Sequence, residues 1–151
     1  MSQASFELSA VVNADVETAF QFLSDLNNHR HLHPYFEKAE QIATDIDADG
    51  QRFIDFMITE RPRLGPFRYT IRFPTRMVFT DQHEFRSYVR AALGTNLVNV
   101  MKVKQEGNGT RITEHVVVRA PWLTIHYVKQ QAYLAHKRTF DLLPSVLKRD
   151  K

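Results

Sequence analysis

WLTIHYVKQQAYLAHKRTFDLLPSVLK, residues Trp122 to Lys148, is the stretch whose reading decides the fold. Val128, Ala132, Ala135, Thr139, Leu142, Leu143 and Val146 recur every three or four residues, which is the period of one buried helical face. Lys129, Lys137, Arg138 and Asp141 fill much of the remaining surface. Roughly 25 residues of helix would run about 38 Å, enough to cross a small domain. Small side chains at Ala132, Ala135 and Thr139 let whatever lies beneath come close. Pro144 lacks an N–H and is expected to kink or end the helix about one turn early.

Almost everything upstream reads as strand. Phe6, Leu8, Ala10 and Val12 alternate with polar residues through Ser5 to Val12. Asn13 or Asp15 then caps a helical stripe of Val16, Ala19, Phe20 and Leu23. A second short helical piece starts near Asn27 or Asn28 and ends by Pro34. Glu37 to Ile46 and Arg52 to Glu60 flank the turn Asp47-Ala48-Asp49-Gly50. After a turn at Pro62, Gly65 and Pro66, the alternation of Phe67, Tyr69, Ile71 and Phe73 with Arg68, Thr70 and Arg72 predicts a further strand. Pro74-Thr75 breaks it. A fifth strand follows from Met77 to about Phe85, with Ser87 to Gly94 either prolonging it or forming a loop. Leu97, Asn99, Met101 and Val103 belong to a sixth strand. Glu106-Gly107-Asn108-Gly109 is a hairpin turn, and Arg111 to Arg119 is the seventh strand.

The bulk properties fit one soluble domain over residues 1–151. Forty-three per cent of residues are apolar and 25% charged, and 20 basic against 17 acidic residues leave only +3. That charge is spread too evenly for a nucleic-acid footprint. Cysteine is absent, which excludes disulfides, thiolate nucleophiles and cysteine metal sites. No signal-like leader and no run of 18 apolar residues is present, so a cytoplasmic protein without integral membrane association is expected. The basic tail Lys148-Arg149-Asp150-Lys151 follows the helix C-terminus, where the helix dipole favours positive charge. No cofactor is called for. His29, His31 and His33 would share a face only if extended and are read as a polar loop at the domain's mouth, so no metal site is assigned.

The order of elements, with Ala14-Asp15-Val16-Glu17-Thr18-Ala19-Phe20 after the first strand, resembles the START-like or SRPBCC superfamily. Gly109-Thr110-Arg111-Ile112-Thr113-Glu114 is similar to the opening of that family's seventh strand. Gln131 to Thr139 resembles its final helix. Within it, the chain looks most like the polyketide cyclase/dehydrase and lipid-transport group. The resemblance implies an α+β helix-grip fold: a curved seven-stranded antiparallel sheet wrapped around the long helix, two short helices after the first strand, and an apolar cavity between sheet and helix.

Such a cavity would bind a small hydrophobic molecule: a lipid, an isoprenoid quinone or an aromatic polyketide. Val128, Ala132 and Ala135 would form the helix wall, with Phe56, Tyr69, Phe79 and Met101 on the sheet. Strand alternation turns Asp81, His83 and Asn99 inward. Either parity of the last strand buries an ionisable group, and the more apolar face carries Glu114 rather than His115. Tyr69, His83, Asn99 and Glu114 are therefore candidate polar anchors. Tyr35 and Trp122 fall where the family has entrance elements. Two alternatives stand beside this carrier: a cyclase or dehydratase using His83 with Asp81 or Glu114 as acid and base, and a protein-interaction module. No catalytic residue is assigned, and oligomeric state is not legible.

Overall fold

The computed structural model describes residues 1–149, with side chains at all of these except 63 and 64; the last two residues of the basic tail lie outside it. Strand β1 (Ser2–Val12) leads into helix α1 (Val16–Ser24) and a 3-10 turn (Leu26–His31). Strands β2 (Phe36–Ile46) and β3 (Arg52–Glu60) follow, then a two-stranded excursion of β4 (Arg63–Leu64) and β5 (Phe67–Arg68). Strands β6 (Ile71–Asp81), β7 (Glu84–Arg90), β8 (Asn96–Glu106) and β9 (Gly109–Ala120) complete the sheet, and α2 (Ile125–Val146) closes the fold. Seven strands pair antiparallel in the order β1-β9-β8-β7-β6-β3-β2. This is the helix-grip architecture.

Local chemistry explains the elements. Asp15 caps α1, its carboxylate accepting from the Thr18 N–H at 2.7 Å. Asp25 caps the 3-10 turn, and Asn27 Oδ1 accepts from the Ala39 N–H at 3.1 Å, tying that turn to β2. Thr110, fully buried, donates its hydroxyl proton to the Ala14 carbonyl at 2.7 Å and pins α1 under the sheet. Helix α2 runs on through Pro144 to Val146 rather than stopping a turn early. Its C-terminal Phe140 and Leu143 join Val12, Phe20, Leu23, Met77, Phe85, Val103 and Ile112 in the main core. Near its N-terminus, Val128 and Ala132 pack on Val116, Val118 and Ala120.

The sheet departs from the sequence reading between residues 67 and 90. Phe67 to Phe73 is not one strand: Phe67 and Arg68 pair in the small excursion, and β6 starts only at Ile71. It then passes straight through Pro74. Strand β7 pairs with β6 only from Thr75 onward, so Pro74 needs a partner on one side alone, opposite Met57. The supposed fifth strand is two, parted by a turn at Gln82 and His83. Residues 84–90 supply the strand left undecided.

The helix covers the sheet unevenly. Helix α2 lies along β1 and, to a lesser degree, β9, while α1 reaches β8 and β9 from the opposite end of the sheet. The inner faces of β8, β7, β6 and β3 therefore look into the space beside α2.

Candidate functional site

Register defines the inner face. Thr110, Ile112, Glu114, Val116, Val118 and Ala120 point inward from β9, opposite Val12, Ala10, Leu8, Phe6, Ala4 and Ser2. Glu114 is thus a carboxyl set in an apolar wall, with its side chain only 6% exposed. A buried charge needs a partner, and here the partner comes from α2. His136 Nδ1 donates to Glu114 Oε1, and the imidazole lies edge-on to Phe6 at 5.8 Å. Burial works against the charged imidazole. The Glu114 charge and hydrogen bond, with Glu60 adding to them, overcome it and hold the His136 pKa above its ordinary value.

Three further titratable groups gather on this side of the interior. His33 Nε2 lies 4.0 Å from Glu60 Oε1. Burial raises the Glu60 pKa, opposed by the charge of His136. The His33 pKa is lowered by burial and then by the positive charges of His136 and Arg138. His29, edge-on to Phe36 at 6.0 Å, is pushed down to about 4, chiefly by burial and then by the His33 charge, with Glu114 pulling the other way. The set thus joins a His136 whose charged form is favoured by Glu114 to a His29 whose charged form is disfavoured by burial. Such a group can hold a proton at His136 and present it to a bound oxygen. Among the described residues, no group of three His, Cys, Asp or Glu is gathered closely enough to hold a metal ion.

A polar track leads away from Glu114. Glu114 pairs with Met101, so Asn99 is its diagonal neighbour on the same face; Asn99 pairs with Ser87, and Thr75 is diagonal to Ser87 across Met77. Same-face diagonal neighbours lie about 7–8 Å apart. Four oxygen-bearing side chains thus step across β9, β8, β7 and β6. Two of their atoms, Asn99 Oδ1 and Thr75 Oγ1, are buried without a hydrogen-bond partner. A third orphan, Thr59 Oγ1, belongs to the other face by register.

The inner face also divides by wetness. Toward α1 it is dry: Met77, Phe85, Met101, Val103 and Ile112 are all buried. Toward the N-terminal half of α2, the inward-facing Leu97, Asn99, Val89 and Phe73, and Val128, Ala132 and Ala135 on the helix, are only partly buried. These residues keep partial contact with solvent. The outer face carries two open grooves of about 530 and 780 Å³. The smaller is lined by Arg86, Lys102, Lys104 and Arg111 with Glu7 and Glu84, which suits water better than an apolar ligand.

The residues singled out from sequence fall into three groups. Asn99, Glu114, Val128, Ala132 and Ala135 face the wetted space, and Phe56 and Met101 form buried wall beside it. Phe79 belongs elsewhere, packed against Phe20 at 6.2 Å and Phe85 at 6.3 Å, where aromatic rings fill the α1 end. Tyr35 and Trp122 are exposed at the rim.

Three expectations need correction. Tyr69 lies outside the sheet and is half exposed, because β6 begins two residues later. Asp81 is exposed at the strand end. His83 sits in the β6–β7 turn and bonds Glu17 of α1 at 3.0 Å, so it meets neither Asp81 nor Glu114. The polar-loop reading of the histidines holds for the exposed His31 alone, since His29 and His33 turn inward. His136, Glu60 and Ser87 were not singled out. The signal for His136 was an ionisable residue flanking an apolar helical face, opposite a strand that had to bury one.

No family model matches the chain, and no curated protein matches it in sequence. Solved structures do match it in shape. The di-domain ARO/CYC BexL from the BE-7585A biosynthetic pathway superposes with a TM-score of 0.73 at 12% identity, over 99% of this chain and 51% of that one. The di-domain ARO/CYC StfQ from the steffimycin biosynthetic pathway gives 0.71 at 11%, over 96% and 50%. A START superfamily protein from Mycobacterium smegmatis gives 0.63 at 13%, over 97% and 99%.

The chain has the START-like fold.

It spans about half the length of the two di-domain proteins and nearly all of the mycobacterial one. At these identities the likeness concerns the fold, and the START-like frame accounts for the grip of α2 without specifying what the space beside it holds.

Proposed function

We propose that this START-like domain binds one small hydrophobic molecule carrying hydroxyl or carbonyl oxygens, in the space between the inner face of β3 and β6–β9 and the N-terminal half of α2. The observation that carries this reading is the wetted half of the inner face. Apolar side chains such as Leu97, Val89 and Val128 point inward yet stay partly in contact with solvent. An apolar ligand gains by covering them, at about 25 cal/mol per Å² removed from water. The orphaned Asn99 Oδ1 and Thr75 Oγ1 support an oxygenated ligand over a plain hydrocarbon: a ligand hydroxyl donating to Asn99 removes the penalty of an unpartnered buried acceptor. Neighbouring folds include ARO/CYC proteins of two biosynthetic pathways, in keeping with an aromatic or polyketide-like ligand.

Native mass spectrometry of the purified protein, followed by solvent extraction, tests the reading. A reproducible adduct that proves to be an oxygenated apolar compound is the expected result. A bare chain mass, with no thermal stabilisation by a panel of lipids, quinones and polyphenols, would refute it.

One observation favours a second reading, a cyclase or dehydratase. The imidazole of His136, bonded to Glu114 with its charged form favoured and its side chain 23% exposed, is placed as a candidate proton donor. Product formation from the extracted ligand class by the wild type, lost in His136→Gln with ligand binding retained, is the outcome this reading requires. Unchanged ligand after prolonged incubation removes it.

A further inference from the structure

One end of the sheet differs in chemistry from the other. The register brings together the N-terminus of β1, the β3–β6 connection with its small hairpin, the β7–β8 turn and the β9–α2 link: Ser2 pairs with Ala120, Arg119 with Asn96, Asn96 with Arg90, and Glu60 with Ile71. This is the wetted end of the inner face.

Apart from the terminal Met1, the five most exposed large apolar side chains of the described residues all sit here: Phe67, Leu93, Trp122, Leu123 and Tyr127, from 66% exposed at Tyr127 to 90% at Leu93. They come from separate segments. Leu93 stands at the tip of the β7–β8 turn with φ at +58°, a conformation uncommon outside glycine, asparagine and aspartate. A soluble fold gains nothing from holding a leucine there and leaving it in water.

Charge is segregated in the same sense. Residues 61–80, 85–105 and 115–140, which carry the three connections at this end, contain no aspartate or glutamate. They do contain Arg61, Arg68, Arg90 and Arg119, all exposed. Among the described residues, Arg61, Arg68 and Arg90 have no carboxylate within ion-pair distance. Seven acidic residues, Asp15, Glu17, Asp47, Asp49, Asp81, Glu84 and Glu106, lie at the opposite end, while Glu37 and Glu60 lie at this one beside the β3–β6 connection.

We propose that this end docks on the surface of an anionic phospholipid bilayer, with Phe67, Leu93, Trp122, Leu123 and Tyr127 entering the interfacial region and the arginines lying at the level of the headgroups. Large apolar side chains with an aromatic share, backed by basic residues, are what the interface accepts. The scatter of the tips argues for lipid over protein. A protein partner needs a contiguous core with matched shape, whereas a fluid interface takes separate tips without such a match. Unopposed arginines add attraction to anionic headgroups, screened within a Debye length. The docked surface is also the open end of the ligand space, so an apolar molecule would pass between bilayer and cavity without crossing bulk water. The docking inference stands on exposure and charge alone and does not depend on what the cavity holds.

Flotation of the whole protein with vesicles tests it, using phosphatidylcholine alone and phosphatidylcholine mixed with phosphatidylglycerol. The protein is expected to float with the mixed vesicles, to bind neutral ones weakly, and to be released by high salt. Trp122→Ser with Leu123→Ser should lower partitioning by at least about tenfold. Arg90→Ser should lower it about fivefold on the anionic vesicles. Both variants alter exposed side chains, and unchanged circular-dichroism melting curves will establish that they are folded. The proposal is overturned if the wild type ignores anionic vesicles, if the Trp122/Leu123 variant binds as well as wild type, or if soluble polyglutamate binds while vesicles do not, which would indicate an acidic protein surface instead. Extraction and native mass spectrometry report on the cavity separately, so loss of one reading leaves the other in place.

Discussion

Removing His136 tests the interior pair most directly. In His136→Leu the Glu114 carboxyl, 6% exposed in an apolar wall, loses the partner that offsets its burial. Breaking a buried pair from one side costs about 3–5 kcal/mol. The low end of that range, about 3 kcal/mol, is expected because the His136 side chain is itself 23% exposed. For a chain of this size, the melting temperature should fall by roughly 6–12 °C. The double variant Glu114→Leu/His136→Leu leaves no buried charge and should recover most of the loss, giving a coupling of at least about 2 kcal/mol. Urea unfolding followed by far-ultraviolet circular dichroism is the assay; Trp122 is too exposed for its fluorescence to report core loss. A single-variant cost below about 1 kcal/mol that adds simply in the double variant would refute the reading of Glu114 and His136 as a buried, mutually dependent pair.

Three further outcomes are expected. His29 is held neutral, with its pKa lowered from 6.5 to about 4, so its contribution is full above pH 6.5 and is lost as the pH falls toward 4. At most about 3 kcal/mol is at stake, and His29→Gln should flatten the acid limb of the stability curve; Asp25, His33, Glu114 and His136, which also act on His29, remain in that variant. An acid limb identical to wild type in urea titrations at pH 4 and 6.5 would count against it. Asn99→Leu removes the orphaned carbonyl oxygen and should raise stability by about 1 kcal/mol while weakening hydroxylated ligands more than their deoxy analogues, as read by calorimetric titration. In Gly109→Ala the new Cβ would meet the Val12 carbonyl oxygen at 2.6 Å, a backbone atom with little room to yield. A loss of about 1–3 kcal/mol is expected, and unchanged thermal melting would argue against so close an approach of β9 to β1.

Periodicity alone carried the frame of this protein. The spacing of Val128, Ala132, Thr139 and Leu143 marks the helical face turned to the sheet, fully buried at Leu143 and partly buried at the other three. The alternation of Ile112, Glu114, Val116 and Val118 settles which face of the last strand is buried, so the buried carboxylate of Glu114 was legible in the sequence. Both are properties of one segment, and a segment's own period expresses them. Alternation is silent on where a strand begins. The run from Phe67 to Phe73 has the right pattern, yet the chain there leaves the sheet as a short hairpin, because pairing with β3 starts at Ile71.

Partnership across segments was not written locally at all. His83 looked like the partner of Glu114 from strand parity, but a turn after a bulged pairing carries it out to Glu17. His136, 22 residues downstream of Glu114, takes its place because α2 crosses β9 at that depth. The sequence by itself determined the helix, the strands and a buried carboxyl in need of a counter-charge. Only the tertiary structure decided which imidazole supplies it, which half of the inner face stays wet, and that acid-free connections far apart in the chain meet at one end. Those outcomes depend on the register of seven strands and the offset of one helix, and no single segment's periodicity contains either.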